Sequence, residues 1–76
     1  MPYGQVRWRA RRGRRELDML LERYLDTRYA RASASERKAF AELLDRSDPD
    51  ISDWIMGRAA PPAELSDVIH ALAAYD

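Results

Sequence analysis

Between residues 17 and 29 the apolar side chains Leu17, Leu20, Leu21, Tyr24, Leu25 and Tyr29 recur in steps of three and four. A helix of 3.6 residues per turn gathers such a series onto one stripe, leaving Asp18, Glu22, Arg23 and Asp26 on the wet side. The spacing predicts a helix over about residues 14–29. No segment alternates in the manner of a strand for more than a few residues, so the core must be made by packing helices.

The remaining elements follow from the same pattern and from punctuation. A short helix is expected over about residues 5–12, carrying Val6 and Trp8 and interrupted at Gly13, since Gly inside a helix costs about 1 kcal/mol relative to Ala. Ser33 followed by Glu36 has the spacing of a capping box, opening a third helix that buries Phe40, Leu43 and Leu44 and ends near Arg46. Ser47-Asp48-Pro49-Asp50 opens a fourth. Asp48 is the expected cap, Pro49 suits the first helical position, and Asp50 complements the positive end of the dipole. Ile51, Trp54 and Ile55 form its inner face, and Gly57 can take the left-handed stop conformation. After the Pro61-Pro62 turn, a fifth helix over about residues 62–74 buries Leu65, Val68, Ile69 and Leu72. Connections of a few residues join the elements, so the expectation is all-α: a compact five-helix bundle, one domain over residues 1–76, with residues 1–4 disordered.

Size and composition narrow the function classes. A chain of 76 residues buries only about 60% of its unfolded surface, which leaves little to spare for a deep catalytic cavity. There is no cysteine, which removes disulfides, thiolate nucleophiles and cysteine-ligated metal sites together. His70 is the only histidine and has no second metal-ligating neighbour in sequence. The serines at 33, 35, 47, 52 and 66 sit at caps or in polar first turns. Glycines at 4, 13 and 57 match no phosphate-binding fingerprint. The chain is therefore expected not to be an enzyme, to bind no metal, and to bind no cofactor by itself. No stretch approaches the roughly 20 apolar residues that span a bilayer. The basic start MPYGQVRWRARRG lacks the apolar run of a secretory signal. Twelve of the thirteen basic residues are Arg, a bias that reads as GC-rich bacterial coding and, with the rest, as a cytoplasmic protein.

The net charge of zero conceals a sharp asymmetry. Residues 1–16 hold six Arg against one Glu, whereas residues 17–76 hold seven basic groups against twelve acidic ones. Such a division points to a basic docking edge on an acidic body, or to a solvated arm. The densest part of that edge is Arg11-Arg12-Gly13-Arg14-Arg15-Glu16. A helix continued through it would bring Arg12 and Glu16 onto one face, and Gly13 would let a partner's backbone approach. A plain helix junction explains the same residues. Six Arg near Trp8 also suit a nucleic-acid binder, although the acidic remainder would repel a duplex and no basic recognition helix follows. An antitoxin-like adaptor docking through its N-terminal edge is a further reading.

Arg12-Gly13 followed by Glu16, with Trp8 upstream, Arg11 before and Leu17-Asp18 after, resembles the signature of the FAD assembly factors (flavinylation factors) of succinate dehydrogenase and fumarate reductase. A second block, Asp48-Pro49-Asp50-Ile51 with Trp54, is similar to a later helix of that family. The Ser33–Glu36 cap and Leu43-Leu44 fall between the blocks at the family's distances. The likeness covers about residues 6–72; the chain departs from it in a C-terminal end shorter than the family's after Pro61-Pro62. The resemblance implies a five-helix bundle that acts on a flavoprotein subunit whose FAD is bonded covalently to that subunit's own histidine. It also implies a partner-binding role for Arg12, Gly13 and Glu16, flanked by Arg11, Arg15 and Trp8. FAD would belong to the client. The factor itself would bind no nucleic acid, insert in no membrane, and be a monomer when free.

Overall fold

Residues 2–73 are described by the computed structural model. Among them are five α-helices, α1 (Tyr3–Arg9), α2 (Arg15–Thr27), α3 (Ala34–Leu43), α4 (Asp48–Ile55) and α5 (Ser66–Ala73), with single 3-10 turns at Tyr29–Arg31 and Ala63–Leu65. The all-α expectation holds. The differences lie at the ends of elements, and each has a local cause.

Helix α1 starts earlier than its apolar spacing suggests. The Pro2 carbonyl accepts from the Gln5 and Val6 amides, both at 3.1 Å, so Tyr3 and Gly4 are helical where disorder was expected. Met1 lies outside the described residues. The helix stops at Arg9 with Ala10 as its cap, one turn short of the expected Arg12. Val6 and Ala10 are its buried residues, whereas Trp8 is 75% exposed.

Helix α2 buries Leu17, Leu21, Tyr24 and Leu25 as the stripe requires; Leu20 is only half-buried. Its end comes before Tyr29, because Arg28 leaves helical geometry at φ −125°. That departure turns the Tyr29 ring inward. The ring meets Tyr24 at 6.4 Å, Phe40 at 5.9 Å and Tyr3 at 5.7 Å between centroids, while Phe40 stacks on Tyr24 at 4.5 Å. Arg37 covers the outer side of Tyr29 at 5.4 Å from its centroid. This aromatic cluster joins α1, α2 and α3. Leu43, Leu44, Ile51, Leu65, Val68, Ile69 and Leu72 extend the core toward α4 and α5.

Helix α4 is capped by Ser47, whose hydroxyl accepts from the Asp50 amide, and not by Asp48. Asp48 is thereby the first helical residue and is released for another contact. Ile51 is buried; Trp54 and Ile55 only pack against the core from a half-buried position. Gly57 adopts φ +78° as expected. The fifth element begins with the 3-10 turn at Ala63–Leu65 before α5. Its expected last residue, Ala74, lies outside the described residues.

Ser33 caps α3 by accepting from the Glu36 amide at 3.1 Å, but the Glu36 carboxylate does not reach back as a full capping box requires. It accepts instead from the Tyr24 hydroxyl at 2.6 Å and from Arg28 at 2.8 and 3.1 Å. The Arg28 hydrogen bonds hold the Glu36 carboxyl below its ordinary range, against an opposing push from burial. Burial, then the bond to Glu36, pushes the Tyr24 phenol well above its usual range. A carboxyl whose folded value is depressed contributes stability above its unfolded pKa of about 4.3, and loses that contribution as pH falls through the folded value. The melting temperatures of wild type and Glu36→Gln are therefore expected to differ most above about pH 5 and to converge on acidification below the unfolded value. A gap that stays constant from pH 7 to pH 3 would contradict the assignment.

Candidate functional site

The segment between α1 and α2 is held in one shape by carboxylates from elsewhere in the fold. Asp18, in the first turn of α2, accepts from the Arg12 amide at 2.8 Å through Oδ1 and from the Gly13 amide at 3.1 Å through Oδ2. Gly13 has φ +78°, and a Cβ placed there would meet no atom within 4 Å. The left-handed backbone, not crowding within the protein, is what requires glycine at this position. Arg14 is the N-cap of α2, and its carbonyl accepts from the Asp18 amide at 2.7 Å.

Arg12 is turned into the molecule. Its Nε donates to Asp48 Oδ1 at 2.7 Å. Its Nη1 donates to the carbonyls of Leu44 at 2.7 Å and Arg9 at 3.3 Å, and its Nη2 to that of Arg46 at 2.6 Å. The cation thus stands where α3 ends and α4 begins, satisfying carbonyls at a negative helix end and a carboxylate at a positive one. The Arg12 side chain is only 15% exposed and that of Asp48 22%. Arg14 adds a looser contact to Asp48 at 3.8 Å. The expected shared face of Arg12 and Glu16 does not form, because the helix breaks between them. Instead the Arg-Gly-x-x-Glu string and the Asp48-Pro49-Asp50 block are joined directly, through the Arg12–Asp48 pair.

The same accounting dissolves the supposed basic arm. Arg7 pairs with Asp26 at 2.9 Å and Glu22 at 3.5 Å, Arg9 with Asp45, and Arg12 with Asp48. With the looser Arg14–Asp48 contact, four of the six N-terminal arginines therefore tie the basic segment to the acidic body. The side chains of Arg11, Arg15 and Glu16 are exposed and make no ion pair or hydrogen bond with any described residue. Trp8 and Arg11 line an open recess with Gly4 and Arg7. Glu16 lines a groove of about 290 Å³ between α2 and α4, floored by Leu17, Leu20, Ile55 and Met56 and edged by Ser52 and Arg58.

Sequence reasoning placed Asp18 on the wet side and Asp48 at a cap, and so missed both as partners of the motif. Local spacing carries a signal for Asp18, five and six residues from the amides it accepts. It carries none for Asp48, which is 36 residues from Arg12. The groove beside Glu16 also went unread, because Leu20 and Ile55 were assigned to the core. A larger recess, lined by Tyr24, Arg28, Arg31 and Glu36 among others, includes none of the motif residues. His70 is exposed, and no cluster of three metal-ligating side chains occurs among the described residues. No helix among them is long and apolar enough to cross a membrane.

Residues 4–76 match the sequence profile of a family described as the flavinator of succinate dehydrogenase. The chain is 43% identical over 72 residues to a protein of Acinetobacter baylyi named FAD assembly factor SdhE, covering 93% of this chain and 85% of that protein. It is 40% identical over 69 residues to the protein of that name in Coxiella burnetii, covering 90% and 84%. A third, from Legionella pneumophila, is 37% identical over 62 residues, covering 82% and 78%. No solved structure matches the chain.

Proposed function

From the fact that the chain belongs to the family of flavinators of succinate dehydrogenase, we propose that it binds the flavoprotein subunit of succinate dehydrogenase or fumarate reductase and promotes covalent attachment of FAD to that subunit. One observation supports placing the contact on the α1–α2 face. Arg11, on the segment between α1 and α2, and Arg15 and Glu16, in the first turn of α2, are charged groups with no partner among the described residues, and their neighbours Arg12, Gly13 and Asp18 are bonded into the fold. Unmatched charges on a backbone held in place are suited to pairing across an interface, because the backbone has little conformational freedom left to lose on binding.

Each exposed group has a separate part in this reading. Glu16 accepts a charge-assisted hydrogen bond from a cationic or N–H donor of the client. Arg11 and Arg15 meet client carboxylates or carbonyls, and they speed encounter by steering. Trp8 offers a large rigid surface to bury at the contact. Gly13 contributes the left-handed turn that presents Glu16, and FAD stays with the client throughout. The factor stabilises the client conformation in which the flavin forms its bond and carries out no reaction itself. In the free state we read it as a cytoplasmic monomer that binds no nucleic acid.

The test mixes the apo flavoprotein subunit with FAD, with and without this protein. After acid denaturation and gel separation, the flavin fluorescence retained by the flavoprotein band is measured, and binding is measured in parallel by co-purification. Faster and more complete flavin retention together with a stable complex is the expected result. No binding and no stimulation would overturn the proposal.

A further inference from the structure

We infer that Arg12 is a positioning residue, acting through Asp48 to hold the docking loop, and that the partner meets this segment through Glu16 and its exposed flank and not through the Arg12 guanidinium. The inference deepens the reading given above and rests on it for the identity of the partner. Its structural basis is a count of donors. A guanidinium has five N–H groups. In Arg12 one is taken by Asp48, two at Nη1 by Leu44 and Arg9, and one at Nη2 by Arg46. A single donor remains. Bidentate recognition of a partner carboxylate needs two adjacent donors, so Arg12 could supply it only by abandoning bonds already made.

Abandoning them would be costly at the other end as well. Asp48 would keep only the distant contact to Arg14, and the Leu44 and Arg46 carbonyls would lose these donors. What the four bonds achieve is geometric. They fix residue 12 against the α3–α4 junction, while the Asp18 carboxylate fixes the amides of residues 12 and 13 against α2. Glu16 is then carried by α2 at a set position relative to Ser52, Ile55 and Met56 of the neighbouring helix and its cap, the residues that share its groove. Removing either Arg12 or Asp48 leaves the segment held by Asp18 alone and loosens that position without touching any group that faces the partner.

A double-mutant cycle tests this with the full chain and the apo flavoprotein subunit. Arg12→Ala and Asp48→Asn are each expected to weaken binding about tenfold, and the double variant to bind no worse than the weaker single, since both break one latch. Arg12→Lys, which keeps the charge but cannot make four bonds, should behave as Arg12→Ala does. Glu16→Ala combined with Asp48→Asn should be weaker than either alone. If Asp48→Asn binds as wild type while Arg12→Ala does not, or if Arg12→Lys restores binding, Arg12 touches the partner and the inference fails. Asp48→Asn retains an acceptor of the same size at the helix start, and its circular dichroism and melting curve establish that it folds. A second arm needs no client. In free Asp48→Asn the NMR amide signals of Arg12 and Gly13 should shift and exchange faster, while those of Phe40 and Leu43 stay put. Unchanged loop amides overturn the latch, and a wild-type chain that binds no flavoprotein overturns the proposed function instead.

Discussion

Glu16→Ala is expected to remove most of the stimulated flavin attachment while leaving the fold intact. Truncating one partner of a hydrogen-bonded charge pair at an interface costs about 2–5 kcal/mol, equivalent to a 30-fold or greater loss of affinity. Inside the free protein, Glu16 is an exposed side chain without a partner among the described residues. Its one internal contribution is a carboxylate in the first turn of α2, worth about 0.3–1 kcal/mol against the helix dipole and partly offset by the better helix propensity of Ala. A melting temperature within roughly 4 °C of wild type follows. Glu16→Gln separates charge from size: it should bind only slightly better than Glu16→Ala if the client donor is cationic. Full stimulation by Glu16→Ala at wild-type concentration would move the contact away from the motif.

Phe40→Ala is expected to have the opposite profile, with a severe loss of stability and no direct effect on the docking face. Phe40 is fully buried, stacked on Tyr24 and set edge-on to Tyr29. Deleting such a ring costs about 3–5 kcal/mol in lost transfer energy and cavity formation. Native domains are stable by only about 5–15 kcal/mol, with small ones toward the lower end, so a large share of the total is removed. For a domain of this size the melting temperature should fall by about 15–30 °C, measured by circular dichroism. At a temperature where the variant is still folded, its affinity for the flavoprotein should match wild type. A drop under about 5 °C would mean that the aromatic cluster is not what joins α1, α2 and α3.

These two residues also illustrate which parts of the molecule were legible in the sequence. Phe40 was readable as core because its neighbours Leu43 and Leu44 repeat at helical spacing, and periodicity is a local property. The same holds for Leu17, Leu21, Tyr24 and Leu25 in α2 and for Gly57 at the end of α4. Local rules failed where two of them competed. Ser47 and Asp48 can both cap, and the one that does so releases the other. Glu36 has the spacing of a reciprocal cap, yet a cation and a phenol brought close by the fold outbid the backbone amide for it.

The arginines were the least legible. Arg7, Arg9 and Arg12 look in sequence like Arg11 and Arg15, and what distinguishes them is where Asp26, Asp45 and Asp48 come to rest. Charge asymmetry between the two parts of the chain was visible. That the excess of one part is largely matched against the other depends on the packing of α1 and was not. The motif showed which segment to look at, and only the fold separated its inward arginine from its outward glutamate.

The bonds of Arg12 also carry a temporal meaning. Their acceptors at Leu44, Arg46 and Asp48 lie 32, 34 and 36 residues further along the chain. During synthesis the Arg-Gly-x-x-Glu segment emerges early with only local partners, Asp18 and the Arg9 carbonyl; its bonds to Leu44, Arg46 and Asp48 must wait until α3 is complete and α4 has begun, and contacts of such separation close late. A nascent or partly unfolded chain therefore carries Glu16 on a looser segment, and the docking surface proposed above reaches its final form only after the bundle has closed. On the proposed function, competence to bind would be tied to completion of the fold, and a half-made factor would have little means of occupying its client.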